Sequence, residues 1–171
     1  MLRLFFLGLA VLFFTPLFGQ YPGWQQRVEY NMDVDMNEEL HQYDGAQHLT
    51  YSNNSPDALD RIPFHLFFNA FQPGSMMDVR SQNIADPDPR VGDRISNLSE
   101  DEWGWIRVGK VMVGKQEAVF TANGTIGWLE LPSPLRAGKS VTISMEWKAQ
   151  VPRQIRRSGW MNAQGVEFSM T

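Results

Sequence analysis

Apolar and polar residues alternate along much of this chain with the two-residue period of a strand. Val28, Tyr30, Met32, Val34 and Met36 are separated by Glu29, Asn31, Asp33 and Asp35. This predicts a half-buried strand over residues 28–36 with one wet, acidic face. Residues 40–52 (LHQYDGAQHLTYS) give a second strand, with a place for a bulge or break at Asp44-Gly45. Residues 53–57 (NNSPD) are dense turn chemistry. Links this short predict an antiparallel meander rather than parallel crossovers.

Residues 61–71 (RIPFHLFFNAF) form the most apolar run outside the N-terminus. Read as a strand, Ile62, Phe64, Leu66 and Phe68 face one side while Phe67 and Phe71 face the other. Such a strand would be covered on both faces and sit at the centre of the fold. His65 within it reads as a structural residue.

Residues 72–102 break the pattern: they are long, polar and rich in Pro, Gly, Asp and Arg. They predict a functional loop or an insertion, with Pro87 and Pro89 excluding regular helix around Asp88 and a short helical turn at residues 99–103. Strands resume at residues 105–113, then a Gly114-Lys115 turn, residues 118–121, an Asn123-Gly124 hairpin signal and residues 126–131. Residues 132–138 read as a turn-rich link. Residues 141–151 give the cleanest alternation, with Val141, Ile143, Met145, Trp147, Ala149 and Val151 facing in. The tail opens with a basic loop and enters another strand at residues 166–170. A strand that stops in mid-element predicts a piece of a longer protein. Short alternating strands with hairpin turns and no long amphipathic helix predict an all-β fold, an antiparallel β-sandwich or an open curved sheet.

The first twenty residues are set apart. Arg3 supplies a positive start, and residues 4–14 are an unbroken apolar run. This is the pattern of an exported protein's signal peptide, too short for a comfortable membrane span. Residues 1–20 are therefore expected to form a signal peptide helix, and residues 21–171 one domain, placed in the periplasm, on the outer surface or outside the cell.

With 171 residues the chain is long enough for a real core. A net charge of −4 leaves no basic footprint for nucleic acid. The absence of cysteine excludes disulfides, thiolate metal sites and a cysteine nucleophile. His41, His48 and His65 are the only histidines, and none stands in HExxH. No GxSxG elbow or phosphate-cradling Gly loop is present. Asp86, Asp88 and Asp93 lack the spacing of an EF-hand. The segment carries no complete active site and no metal site of its own.

Two stretches carry a resemblance. Residues 45–81 (GAQHLTYSNNSPDALDRIPFHLFFNAFQPGSMMDVRS), with IADPDPRVGDRIS, resemble the N-terminal domain of the M1 family of zinc metallopeptidases, most closely the secreted aminopeptidase-N-like members of Bacteroidetes-type bacteria. LPSPLRAGKSVTISMEWKAQVP and the closing RRSG…GVEFSMT resemble later parts of the same domain. The resemblance implies a saddle-shaped β-structure packed over a downstream catalytic domain, its own partner, which would hold the zinc. It also implies peptide substrates. In that family, residues at a Thr-Gln signature hold the substrate's free amino group. Thr171 matches the Thr, so Phe168, Ser169, Met170 and Thr171 are the expected substrate-binding residues. The alternative is a free-standing secreted β-sandwich that binds glycan or protein through exposed Trp103, Trp105 and Trp160.

Overall fold

Alternation becomes two antiparallel sheets in the computed structural model, which describes residues 23–85, 89–156 and 159–161. The strands among them are β1 (Arg27–Asn37), β2 (Gln42–Ser52), β3 (Leu59–His65), β4 (Trp105–Val113), β5 (Gln116–Glu117), β6 (Phe120–Asn123), β7 (Ile126–Leu135) and β8 (Ser140–Gln150). The large sheet runs β1-β2-β8-β4-β5 and the small one β3-β7-β6. The small sheet lies across the inner face of the large one. The core between them is built from Leu49, Tyr51, Val111, Val113, Ile143 and Met145 below and Ile62, Leu129 and Leu135 above. The all-β, two-sheet reading holds.

Residues 61–71 do not form the central strand. β3 stops at His65, and the chain turns into a 3-10 helix at Phe67–Ala70. β3 is an edge of the small sheet, paired only with β7. It buries Ile62 while Pro63 and His65 stay exposed, as does Phe67 beyond it. Pro63 explains the edge position, since a residue without an N–H is poorly placed between two ladders. The centre belongs to β8, held between β2 and β4.

Three other elements differ from expectation. Gly45 makes no break: β2 pairs continuously with β1 and β8 on either side. Gly45 is needed because Trp147 of β8 lies flat across it, and a Cβ there would run into the indole. β7 continues through Pro132 and Pro134 to Leu135, where it meets Leu59. The prolines fit because β6 pairs only as far as Leu129 and the β3 register shifts beside them. The hairpin loop is Gly124-Thr125, one residue later than Asn123-Gly124, with Gly124 at φ +57°.

The stretch 72–102 holds a helix, α1 (Met76–Asn83). Ser75 caps it, its hydroxyl accepting from the Asp78 N–H at 3.2 Å. Asp78, buried, accepts from the Gly74 N–H and from the Gln82 amide, both at 2.8 Å. This is Ser-x-x-Asp capping, on a helix with no apolar periodicity to announce it. Val91, Ile95 and Ile155 then make a small second core with Phe71, Met77 and Leu98. The turn expected at residues 99–103 is present, closed by Glu102 N–H to Ser99 C=O at 2.9 Å.

Asn53, fully buried, ties the two sheets together just past β2. Its side-chain amide donates to the carbonyls of Leu135 and Asp57, both at 2.8 Å. Its carbonyl oxygen accepts from Ser55 and from Gln26. Its backbone exchanges bonds with Lys139 and Gly138. Replacing Asn53→Ala removes the donor to the buried Leu135 carbonyl and the acceptor of the buried Ser55 N–H. We expect a loss of roughly 3 kcal/mol in urea unfolding, while Ser52→Ala, at an exposed hydroxyl pair with Ser140, changes stability by less than about 0.5 kcal/mol.

Candidate functional site

The far end of the large sheet gathers a network of polar contacts outside the strand ladders. β8 ends at Gln150, whose amide donates to the carbonyls of Glu100 and Trp103 at 2.9 and 2.8 Å and accepts from Gln42 at 2.9 Å. The next N–H, from Val151, donates to His41 C=O at 2.9 Å. Arg153 donates its N–H to Glu102 C=O at 3.0 Å and its guanidinium to the Glu102 carboxylate at 2.6 Å. The chain then turns back, and the Trp160 N–H donates to Pro152 C=O at 3.1 Å. The Trp160 indole stacks on His41, centroids 4.2 Å apart and planes within 4°. His41 holds φ +54° in the β1–β2 connection. These contacts deliver the chain to the β1–β2 end of the sheet immediately before residue 162. The Trp160 indole N–H is buried and meets no acceptor among the described residues.

Burial of Glu102 by itself favours the neutral acid. The Ser99 N–H and hydroxyl and the Arg153 guanidinium outweigh it and hold the carboxyl below its ordinary range. This is a structural clamp on the 99–103 turn.

The inner face of the large sheet is covered unevenly. Tyr30, Met32, Val34 and Met36 of β1 point to the same side as Leu49, Gln47, Gly45 and Tyr43, their partners on β2. They nonetheless remain 42–55 % exposed. The alternation marks the face correctly, but the half-buried strand expected at residues 28–36 is left open over most of its length by the described residues. A groove of about 360 Å³ runs between β1 and the free edge of β3, lined by Tyr30, Met32, Leu49, Phe64 and His65. A second hollow of about 190 Å³ adjoins it above Trp147 and Val108. Both are mostly apolar. Gln47 and His65 are polar residues lining both, and Gln47 accepts from the Trp147 indole at 3.2 Å.

No three His, Asp or Glu side chains come together to hold a metal among the described residues. His48 pairs with the Ser144 hydroxyl at 2.8 Å, and His65 stacks on Phe67 at 5.0 Å. A cavity of about 620 Å³ beside α1 has Arg80 and Arg156 in its wall but no His, Asp or Glu. Phe168, Ser169, Met170 and Thr171, the expected substrate-binding residues, lie outside the described residues, as do Asp86 and Asp88 and the signal peptide. The expectation of exposed tryptophans is not met: Trp103, Trp105 and Trp160 are all half-buried. Trp103 donates to Leu98 C=O at 3.0 Å, Trp105 lies under Arg107, and Trp160 lies on His41. The open β1 face was missed because a one-strand pattern shows which side is apolar and not whether anything covers it. No helix among the described residues is long and apolar enough to cross a membrane.

No protein-family model matches the chain, and no curated protein matches it. Solved structures do share the fold. The M1 zinc metallopeptidase E323A mutant from Deinococcus radiodurans aligns with a TM-score of 0.50 at 17 % identity, over 85 % of this chain and 26 % of that one. A two-domain M1 zinc metallopeptidase E323A mutant bound to L-arginine aligns at 0.51 and 16 %, over the same shares. The chain thus spans about a quarter of the length of these enzymes, and the likeness is one of fold.

The Glu102 clamp sets a pH dependence. Its folded pKa is depressed, so its contribution is present above the ordinary Glu value of 4.5 and disappears as pH falls through the lower folded value. We expect Glu102→Gln to cost about 1 kcal/mol at pH 7. Thermal melts of the two proteins should converge as the pH falls below that lower folded value.

Proposed function

We propose that this chain is the non-catalytic N-terminal domain of an exported M1-type zinc aminopeptidase. The carrying observation is the shared fold, which takes in most of this chain and only a quarter of a zinc peptidase. The sequence resemblance at residues 45–81 points the same way. In this reading, residues 1–20 direct export and residues 21–171 form the domain. A downstream catalytic domain supplies the zinc, and the described residues carry no acidic or histidine cluster that would take on that role. The domain caps the catalytic domain and presents Phe168, Ser169, Met170 and Thr171 to the amino end of a peptide. A free-standing adhesion module gains no support from Trp103, Trp105 and Trp160, whose rings are occupied by protein contacts.

The test is to read the frame beyond Thr171 and assay the full protein on aminoacyl anilides. The expected result is HExxH with a more distant Glu downstream. Hydrolysis should be abolished by a chelator, restored by zinc, and reduced at least tenfold when residues 21–171 are deleted. A frame without HExxH overturns the reading.

A further inference from the structure

We propose that the cavity beside α1 binds an aliphatic carboxylate, with the carboxylate held by Arg80 and the chain lying along Met77, Ile84 and Val91. The cavity volume of about 620 Å³ lies within the range of small-ligand sites, about 300–1,000 Å³. One face of α1 makes a wall. Met77, Arg80 and Ser81 recur at the three- and four-residue spacings that bring helix side chains together, and Ile84 follows at the end of the helix. Ala70, Val91 and Thr125 line the other sides. Val91 and Met77 also belong to the small second core, so packing fixes this apolar floor.

The polar groups set the sign of the ligand. Among the described residues, those lining the cavity are Arg80, Arg156, Ser81 and Thr125. Two are cations and two carry hydroxyls that can donate, and no carboxylate stands with them. The Arg80 side chain is exposed and has no ion pair or hydrogen bond with a described residue. A guanidinium takes a carboxylate through two parallel N–H bonds. A purely apolar ligand leaves that guanidinium unmet, and a bare anion leaves the Met77, Ile84 and Val91 wall wet. A carboxylate on an aliphatic chain answers both. The proposal is independent of the aminopeptidase reading.

Decanoate is the probe, titrated calorimetrically into the full chain below its micellar concentration, with decanol and acetate as counterparts. Decanoate should bind at least about tenfold more tightly than decanol, and acetate should not bind measurably. Arg80→Gln should weaken decanoate at least about tenfold while the melting temperature stays unchanged. Equal binding of decanoate and decanol, or an Arg80→Gln protein that binds decanoate as before, overturns the proposal. The place of binding is read separately. Because the chain has no cysteine, Ser81→Cys and, at an exposed turn remote from α1, Lys115→Cys can each be labelled with a maleimide without background. Decanoate should slow labelling at position 81 at least about threefold and leave position 115 unchanged. No protection at 81, or equal protection at both positions, overturns the proposal by putting decanoate elsewhere, the β1 groove included. An acetylated dipeptide ending in a free leucine carboxylate that protects position 81 at lower concentration than decanoate also overturns it, in favour of a peptide terminus. None of these readouts needs zinc or peptidase activity, so a frame without HExxH would reject the aminopeptidase reading and leave this site in place.

Discussion

The buried side chain of Asn53 is the constraint on which the arrangement of the two sheets depends. A sandwich needs its layers fixed in relative position, and apolar packing alone is non-directional. Asn53 supplies the direction. It sits where β2 leaves the large sheet, donates to the end of β7 and to the approach to β3, and accepts from Ser55 and Gln26. The Leu135 carbonyl and the Ser55 N–H are buried and would lose these partners without it, which costs more than the bond returns. Leu49, Ile143, Leu129 and Leu135 close beneath that tie, so the sandwich is sealed at this end.

Away from Asn53 the layers part. The small sheet has β3 at one edge, and Pro63 makes that edge a poor template for another strand. β1 is the edge of the large sheet on the same side, so two free edges border one groove. On the β4 side the gap is filled: the Asn69 side-chain Oδ1 accepts from the Ile106 N–H at 2.7 Å, and Gly104 N–H donates to Phe71 C=O at 3.0 Å. On the β1 side there is no equivalent among the described residues. The acidic outer row of β1, Glu29, Asp33 and Asp35, opposes antiparallel pairing with a second copy, which would set acid against acid. The opening is thus shaped for cover from above rather than for extension at the edge.

Much of this was legible in the sequence, and the failures have physical causes. The alternation in β8 predicts its inner row from Val141 to Ala149, because a strand with partners on both sides has its register fixed by one apolar row; Gln150, expected to face out, is buried under the carbonyls of Glu100 and Trp103. In residues 61–71 the density of apolar residues suggests a doubly covered strand. A proline in the ladder and a 3-10 turn reverse that, placing Phe67 in solvent. α1 is invisible to periodicity because its buried face is made by Asp78 rather than by an apolar stripe; Ser75 three residues before Asp78 is the signal that would have found it. Gly45 reads as a breaker from sequence alone, since its true role depends on Trp147, a hundred residues away. Residues 168–171, expected from sequence to bind substrate, fall outside the described residues, and the His41–Trp160 corner has no local motif.

The sandwich is sealed at Asn53 and open along β1. Backbone hydrogen exchange on the full chain tests it most directly. Slow exchange is expected for Leu49 to Asn53, Leu129 to Leu135 and Val141 to Met145, and exchange at least tenfold faster along β1 from Asn31 to Asn37, where burial is least. Protection of β1 equal to that of β8, or rapid exchange around Asn53, would contradict it.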